Sequence, residues 1–286
     1  MISYDPHKWR NHFFDLRGSM FLEIIGRVLL CVAWSAAVVC FDKYVVNVSI
    51  SSLLHTLVGS ALGLLLVFRT NASYDRFWEG RKLWGGIVNE TRNLIRLASV
   101  HLGGERDLLV SLTELTASFP QASMHQLRGT KIPGMLEVQH PPLQIATEMT
   151  AILKEGQRRG TLSDIILVSL DQNIQQLVDY LGACERILKT PLPFAYVIHL
   201  RRALVLYCFS LPFALVDTFG WGTIFDTLVV AYIFFGIEEI GVEIERPFGC
   251  DYNDLPLEEI CQSIRDNLFA LVNLEQSAPD VMPKGL

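Results

Sequence analysis

Residues Tyr44–Phe68 read YVVNVSISSLLHTLVGSALGLLLVF, 25 residues without an Asp, Glu, Lys or Arg. At about 1.5 Å of rise per residue, a helix of this length crosses a bilayer with some tilt. Three further apolar runs stand around it. Val28 to Phe41 is short for a span, but extension back across Arg27 to Phe21 supplies the length, with Glu23 and Arg27 near the surface. Ala203 to Val216 contains Pro212 and extends back toward Pro193 past His199, Arg201 and Arg202. Phe219 to Ile237 is broken only by Asp226, and Asp217 and Gly220 suit a tight turn before it. The chain therefore reads as all-α, with four transmembrane helices in two hairpins.

Composition agrees. Of 286 residues, 50% are hydrophobic and only 19% charged, against about 25% charged in soluble proteins. The 24 Lys+Arg against 30 Asp+Glu leave a net charge of −6, so no basic excess exists to neutralise a nucleic-acid backbone. The six cysteines form no CxxC pair and the seven histidines no HExxH, and GxSxG, GxGxxG and Walker loops are missing. We expect no enzyme, no cofactor and no metal centre. Residues 1–20 read as a basic amphipathic segment at a membrane surface rather than a cleavable signal.

Lys and Arg placement orients the spans. Lys8, Arg10, Arg17 and Arg27 precede the first, and Arg69, Arg76, Arg81 and Lys82 follow the second. Arg186, Lys189, Arg201 and Arg202 precede the third, Arg246 follows the fourth, and the hairpin turns carry only Lys43. Both termini and the central region then face the cytoplasm. The chain divides into residues 1–68 with the first two spans, a helical region at 69–190, the last two spans at 191–241, and a helical tail at 242–286.

Within 69–190, Gly103-Gly104, Pro120, Pro133-Gly134 and Pro141-Pro142 signal loops, and helical blocks follow at about 143–158 and 162–188. No proline separates His7 from Phe119. The helix that begins near Ser52 is thus expected to run to about Leu97, with Gly85-Gly86 its weakest point. Ser60, Leu64 and Phe68 share one face at i, i+4 and i+8, with Gly59 and Gly63 beside them at the spacing that lets helices approach closely. Spacing alone leaves lipid contact, core packing and a pore open for Leu64 and Phe68. His55, inside a span, is either functional or bonded to Ser51, Ser52 or a neighbouring helix.

Three motifs carry a resemblance. They are Phe68–Gly85 (FRTNASYDRFWEGRKLWG), Thr190–Tyr196 (TPLPFAY) and Glu245–Leu257 (ERPFGCDYNDLPL). In order and spacing they resemble the bestrophin family, specifically its bacterial branch, over nearly the whole chain. The resemblance implies a homopentameric ion channel in the bacterial inner membrane. Each subunit of such a channel supplies four transmembrane helices and a helical cytosolic domain. The second span lines an apolar neck, which falls on Ser60, Leu64 and Phe68. Family members usually carry a larger apolar residue at the Ser60 position. A constriction at the cytosolic exit falls on Ile166, or on Ile165 if the register shifts by one. The calcium clasp of eukaryotic members falls on Cys250–Asp254, where only Asp251 and Asp254 are acidic. Calcium wants about six to eight oxygens, so no tight site is expected. Asp254 reads instead as a cap for the helix that follows.

Apolar rings do little to choose the sign of an ion. Candidate selectivity acids are Asp164, beside the exit, and Glu238, Glu239, Glu243 and Glu245 after the fourth span. The other reading of the latter group is a solvated face or pairing with Arg246 and the cytosolic arginines. A charge of −6 per subunit becomes about −30 in a pentamer, a field that favours cations weakly. The expected function is passage of monovalent ions, sodium-like cations favoured. Chloride-type anions, as in eukaryotic bestrophins, are the alternative, and a membrane scaffold or transporter is a more distant one. The expected partners are four further copies, lipid and the permeant ions.

Overall fold

The computed structural model describes residues 20–131 and 139–277, with side chains to 273. All of the expected amphipathic segment except Met20 lies outside these residues. The described residues form eight α-helices: α1 Phe21–Tyr44, α2 Ser52–Leu102, α3 Arg106–Arg128, α4 Pro141–Arg158, α5 Asp164–Lys189, α6 Phe194–Phe219, α7 Thr223–Glu243 and α8 Leu257–Ser277. They gather into two compact units. One takes the chain up to Trp78 and Thr190–Asp254, and the other takes Glu79–Lys189 and the chain from Leu255. The seam falls inside α2, beyond Phe68.

In the first unit, α1, α6, α7 and the first part of α2 share a core. Val28 and Cys31 of α1, Leu62 and Leu66 of α2, Leu204 and Cys208 of α6, and Ala231 and Phe235 of α7 are all buried there. These helices are apolar nearly all round, as expected of helices that face lipid on one side and protein on the other. Three stretches are long and apolar enough to cross a membrane: Phe21–Tyr44, Ser52–Leu102 and Phe194–Glu243. The third is folded on itself. Gly220 takes φ +52°, open to a residue without Cβ, and the 3-10 turn Gly220–Gly222 returns the chain so that α7 packs along α6. Of the two closely spaced glycines of α2, one makes a close approach. A Cβ on Gly59 would stand 2.5 Å from the Tyr207 hydroxyl of α6, whereas Gly63 faces open space.

In the second unit, α2 runs helical through Gly85-Gly86 to Leu102. A Cβ on Gly86 would meet the Tyr180 ring of α5 at 2.6 to 2.8 Å, so the glycine serves ring packing rather than a break. The stretch expected to be loops around Pro120 instead contains α3, with Pro120 inside it. Its buried face mixes Leu108, Leu112, Phe119 and Leu127 with Thr113, Thr116 and Ser123. Those hydroxyls donate to carbonyls four residues back, Leu109 O and Leu112 O at 2.7 Å and Phe119 O at 2.8 Å. Polar residues thereby count as core. Helix α4 is capped by His140, whose Nδ1 accepts the Leu143 N–H at 3.2 Å, and α5 begins just after Ser163, whose carbonyl accepts the Leu167 N–H at 2.9 Å. Helix α8 packs on α3, where the Arg128 guanidinium pairs with Glu258 and holds its carboxyl below the usual range. Burial pushes the Cys184 and Cys261 thiols up to about 12, so both behave as small hydrophobes.

Candidate functional site

At one end of its apolar run each helix of the first unit carries a charge, and these charges meet one another. Arg27 precedes the apolar run of α1, Arg69 follows that of α2, Arg201 precedes that of α6, and Glu238 and Glu239 follow that of α7. Glu238 accepts from Arg69 Nη1 and from Arg201 Nε, the latter at 2.8 Å. Arg27 Nη1 stands 2.7 Å from Glu239 Oε2 and 3.5 Å from Glu238 Oε2. Arg69 is 1% exposed, and its Nη2 lies 3.9 Å from Glu245 Oε2. A buried guanidinium is tolerated only when paired in this way.

The three motifs converge on the same place. Arg76, about two turns beyond Arg69, donates to the Glu245 carbonyl at 3.2 Å and to the Thr190 carbonyl at 2.5 Å. The Glu245 carboxylate accepts the Leu192 N–H at 3.2 Å. The arginine-rich motif of α2 therefore ties both the segment before α6 and the segment after α7.

Of the candidate acids, Glu238 and Glu239 are buried and engaged by Arg27, Arg69 and Arg201 rather than by Arg246. Glu243 accepts from Asn253 Nδ2 at 3.4 Å. Asp164, exposed in the first turn of α5, accepts from Gln157 Nε2. At the clasp-like positions, Asp251 is exposed, and its N–H donates to Asp254 Oδ2 at 2.7 Å, folding the buried Asp254 onto its own loop. A Cβ on Gly249 would stand 2.5 Å from that oxygen. Among the described residues, no group of three His, Cys, Asp or Glu side chains is placed to hold a metal.

Leu64 and Phe68 point away from the bundle core, 55% and 56% exposed, on a face shared with Leu53, Leu57 and Ser60, while Leu62 and Leu66 of the same helix are buried. Ser60 Oγ donates to Thr56 O at 2.9 Å, so its one polar group is satisfied within the helix. Ile165 is 81% exposed and Ile166 half-buried, both in the first turn of α5. His55 Nε2 stands 2.9 Å from Ser210 Oγ, which donates to the Leu206 carbonyl at 2.8 Å. His55 thus meets Ser210, the neighbouring-helix option.

The burial of Arg69 and the tie made by Arg76 escape a reading of the sequence, which takes this stretch as a basic flank. The available signal is that charges near the ends of the apolar runs are opposite in sign, Arg on α1, α2 and α6 against Glu on α7.

A profile described as Bacterial/Fungal Bestrophin protein matches residues 1–270. A voltage-dependent anion channel-forming protein of Nostoc sp. is 41% identical over 283 residues, 93% of this chain and 92% of that protein. One of the same description from Escherichia coli K12 is 32% identical over 298 residues, 99% of this chain and 98% of that protein. The crystal structure of a bacterial bestrophin homolog from Klebsiella pneumoniae superimposes with a TM-score of 0.82 at 32% identity, covering 87% of this chain and 98% of that one. With matches of this extent and with apolar helices of spanning length, the chain is a membrane protein that belongs to the bacterial and fungal bestrophin family.

Proposed function

We propose that the chain is one subunit of a homopentameric ion channel, with four spans per subunit, in the bacterial inner membrane and with both termini in the cytoplasm. The observation that carries this reading is the α2 face. It keeps Leu64 and Phe68 out of the subunit's own core while the same helix anchors that core through Leu62 and Leu66. Five such faces around an axis make stacked apolar rings at Leu64 and Phe68, with a narrower side chain at Ser60. A constricted apolar ring loses water readily, so its radius limits ion passage. Ile166, or Ile165, forms a further ring at the cytosolic exit.

The permeant ion is read as an anion. The relatives' names describe anion channel formation, and two of the acids that a cation-selecting ring would draw on, Glu238 and Glu239, are engaged by arginines. The first turn of α2 also carries no acid, leaving the positive end of its dipole unopposed. A cation reading retains the exposed Asp164 beside Ile165 and the net charge of −6.

The test is ion flux from liposomes holding the purified protein. Phe68→Ala and Leu64→Ala are expected to raise conductance severalfold, and Ile166→Ala to alter behaviour at the exit instead. Unchanged flux in both neck variants would remove α2 from the pathway. Reversal potentials under a salt gradient decide the sign: movement toward the chloride equilibrium potential supports anions, and movement away from it supports cations.

A further inference from the structure

Beside the charged cluster lies a cavity of about 280 Å³ walled by Arg27, Arg201, Leu204, Val205, Phe235 and Glu238. Its chemistry is divided along the helix axes. Leu204 and Val205 stand three and four residues after Arg201 on α6, and Phe235 three residues before Glu238 on α7. On both helices the apolar wall is thus one turn deeper into the apolar run than the charge. Arg27 and Arg201 are 47% and 46% exposed. Arg201 donates through Nε alone and Arg27 through Nη1 alone, so their remaining N–H groups have no partner among the described residues. Three guanidiniums meet two carboxylates at hydrogen-bonding distance, Glu238 and Glu239. Glu245, at 3.9 Å from Arg69, does not line the cavity.

We infer that this cavity binds an anionic phospholipid, its phosphate between Arg27 and Arg201 and its acyl chain along Leu204, Val205 and Phe235. Guanidiniums match phosphate oxygens with paired N–H groups, and basic pockets between membrane helices at the cytoplasmic side suit anionic headgroups. A zwitterionic lipid gains less, because its ammonium finds no unengaged carboxylate here. The inference rests on membrane insertion and is independent of conduction.

The experiment is native mass spectrometry of the purified oligomer after equilibration with equal amounts of phosphatidylglycerol and phosphatidylcholine in detergent. Wild type is expected to retain phosphatidylglycerol in preference. Arg201→Gln should lower that retention about fivefold, the factor that follows from the contribution of one cation at a membrane surface, and Arg27→Gln similarly. Arg201→Lys, which keeps the charge but not the paired N–H groups, should fall between wild type and Arg201→Gln. Val205→Trp, which fills the apolar wall without touching an ion pair, should lower it as well. Retention of the two lipids in equal measure would overturn the proposal, as would full retention in both Arg201→Gln and Val205→Trp. Removal of the lipid by millimolar inorganic phosphate would also overturn it, since the acyl chain would then contribute nothing. Because the readout is lipid count, a protein that binds lipid but passes no ions still reports on this site.

Discussion

Gly86 shows how one missing methyl positions a ring. Tyr180 of α5 lies over it so closely that any Cβ would stand under 3 Å from three ring carbons, and an aromatic ring yields only by swinging as a whole. Gly86→Ala is expected to destabilise the second unit by about 1–3 kcal/mol, read as a lower melting temperature in detergent. Gly86→Ala combined with Tyr180→Ala should cost less than the sum of the two single changes, and strict additivity would dismiss the contact. From sequence, Gly85-Gly86 suggests a weak point, because propensity counts glycine as a helix breaker and carries nothing about what lies across from it. His55 is legible to the extent that a buried imidazole needs a partner, and the partner, Ser210, lies on a helix that local sequence does not connect to it. Leu64 and Phe68 are the opposite case: the i, i+4, i+8 spacing places them on one face, while whether that face is covered depends on the packing of three other helices.

At the scale of elements, the apolar runs give the helices of the first unit, because in a bilayer length and lack of charge constrain an element more tightly than propensity does. The sequence also supports α2 as one long helix, since nothing between Ser52 and Leu102 lacks a backbone N–H. Helix α3 is not legible in this way: a proline and an interleaved set of threonines and serines mask a buried stripe whose hydroxyls bond back to their own helix. Still less visible is the lock at the end of the bundle. Arg69 is buried, and among the described residues its only hydrogen-bonded carboxylate is Glu238. Glu238→Gln leaves that guanidinium without a full counter-charge, with Glu245 at 3.9 Å. The expected cost is about 3–5 kcal/mol, seen as loss of monodisperse protein on size exclusion and a lower melting temperature. Exchanging both partners for apolar residues, Arg69→Met with Glu238→Leu, is expected to recover much of that loss, since removing a buried pair together is far milder than removing one member. A Glu238→Gln protein as stable as wild type would mean that the cluster is open to water.

In the whole molecule, two sets of charges have different tasks. Arg27, Arg69 and Arg201 pair with Glu238 and Glu239, so much of their charge is offset and they hold helices together, while the half-exposed Arg27 and Arg201 keep N–H groups outside these pairs. Asp164 is exposed, its only described side-chain partner is the neutral Gln157, and it stands beside the exposed Ile165. If five copies surround an axis, the first set contributes little to ion choice, while five Asp164 carboxylates set a negative potential near the exit. The two sets are therefore separable by experiment. Asp164→Asn is expected to leave stability within about 0.5 kcal/mol, as for an exposed residue, and to move the reversal potential toward the chloride equilibrium value, because a ring that repels anions has been neutralised. The shift should shrink as salt rises, since screening acts over about 8 Å at physiological ionic strength. A reversal potential unmoved by Asp164→Asn at low salt would place this carboxylate away from the ion path, and with it the exit constriction assigned to the first turn of α5.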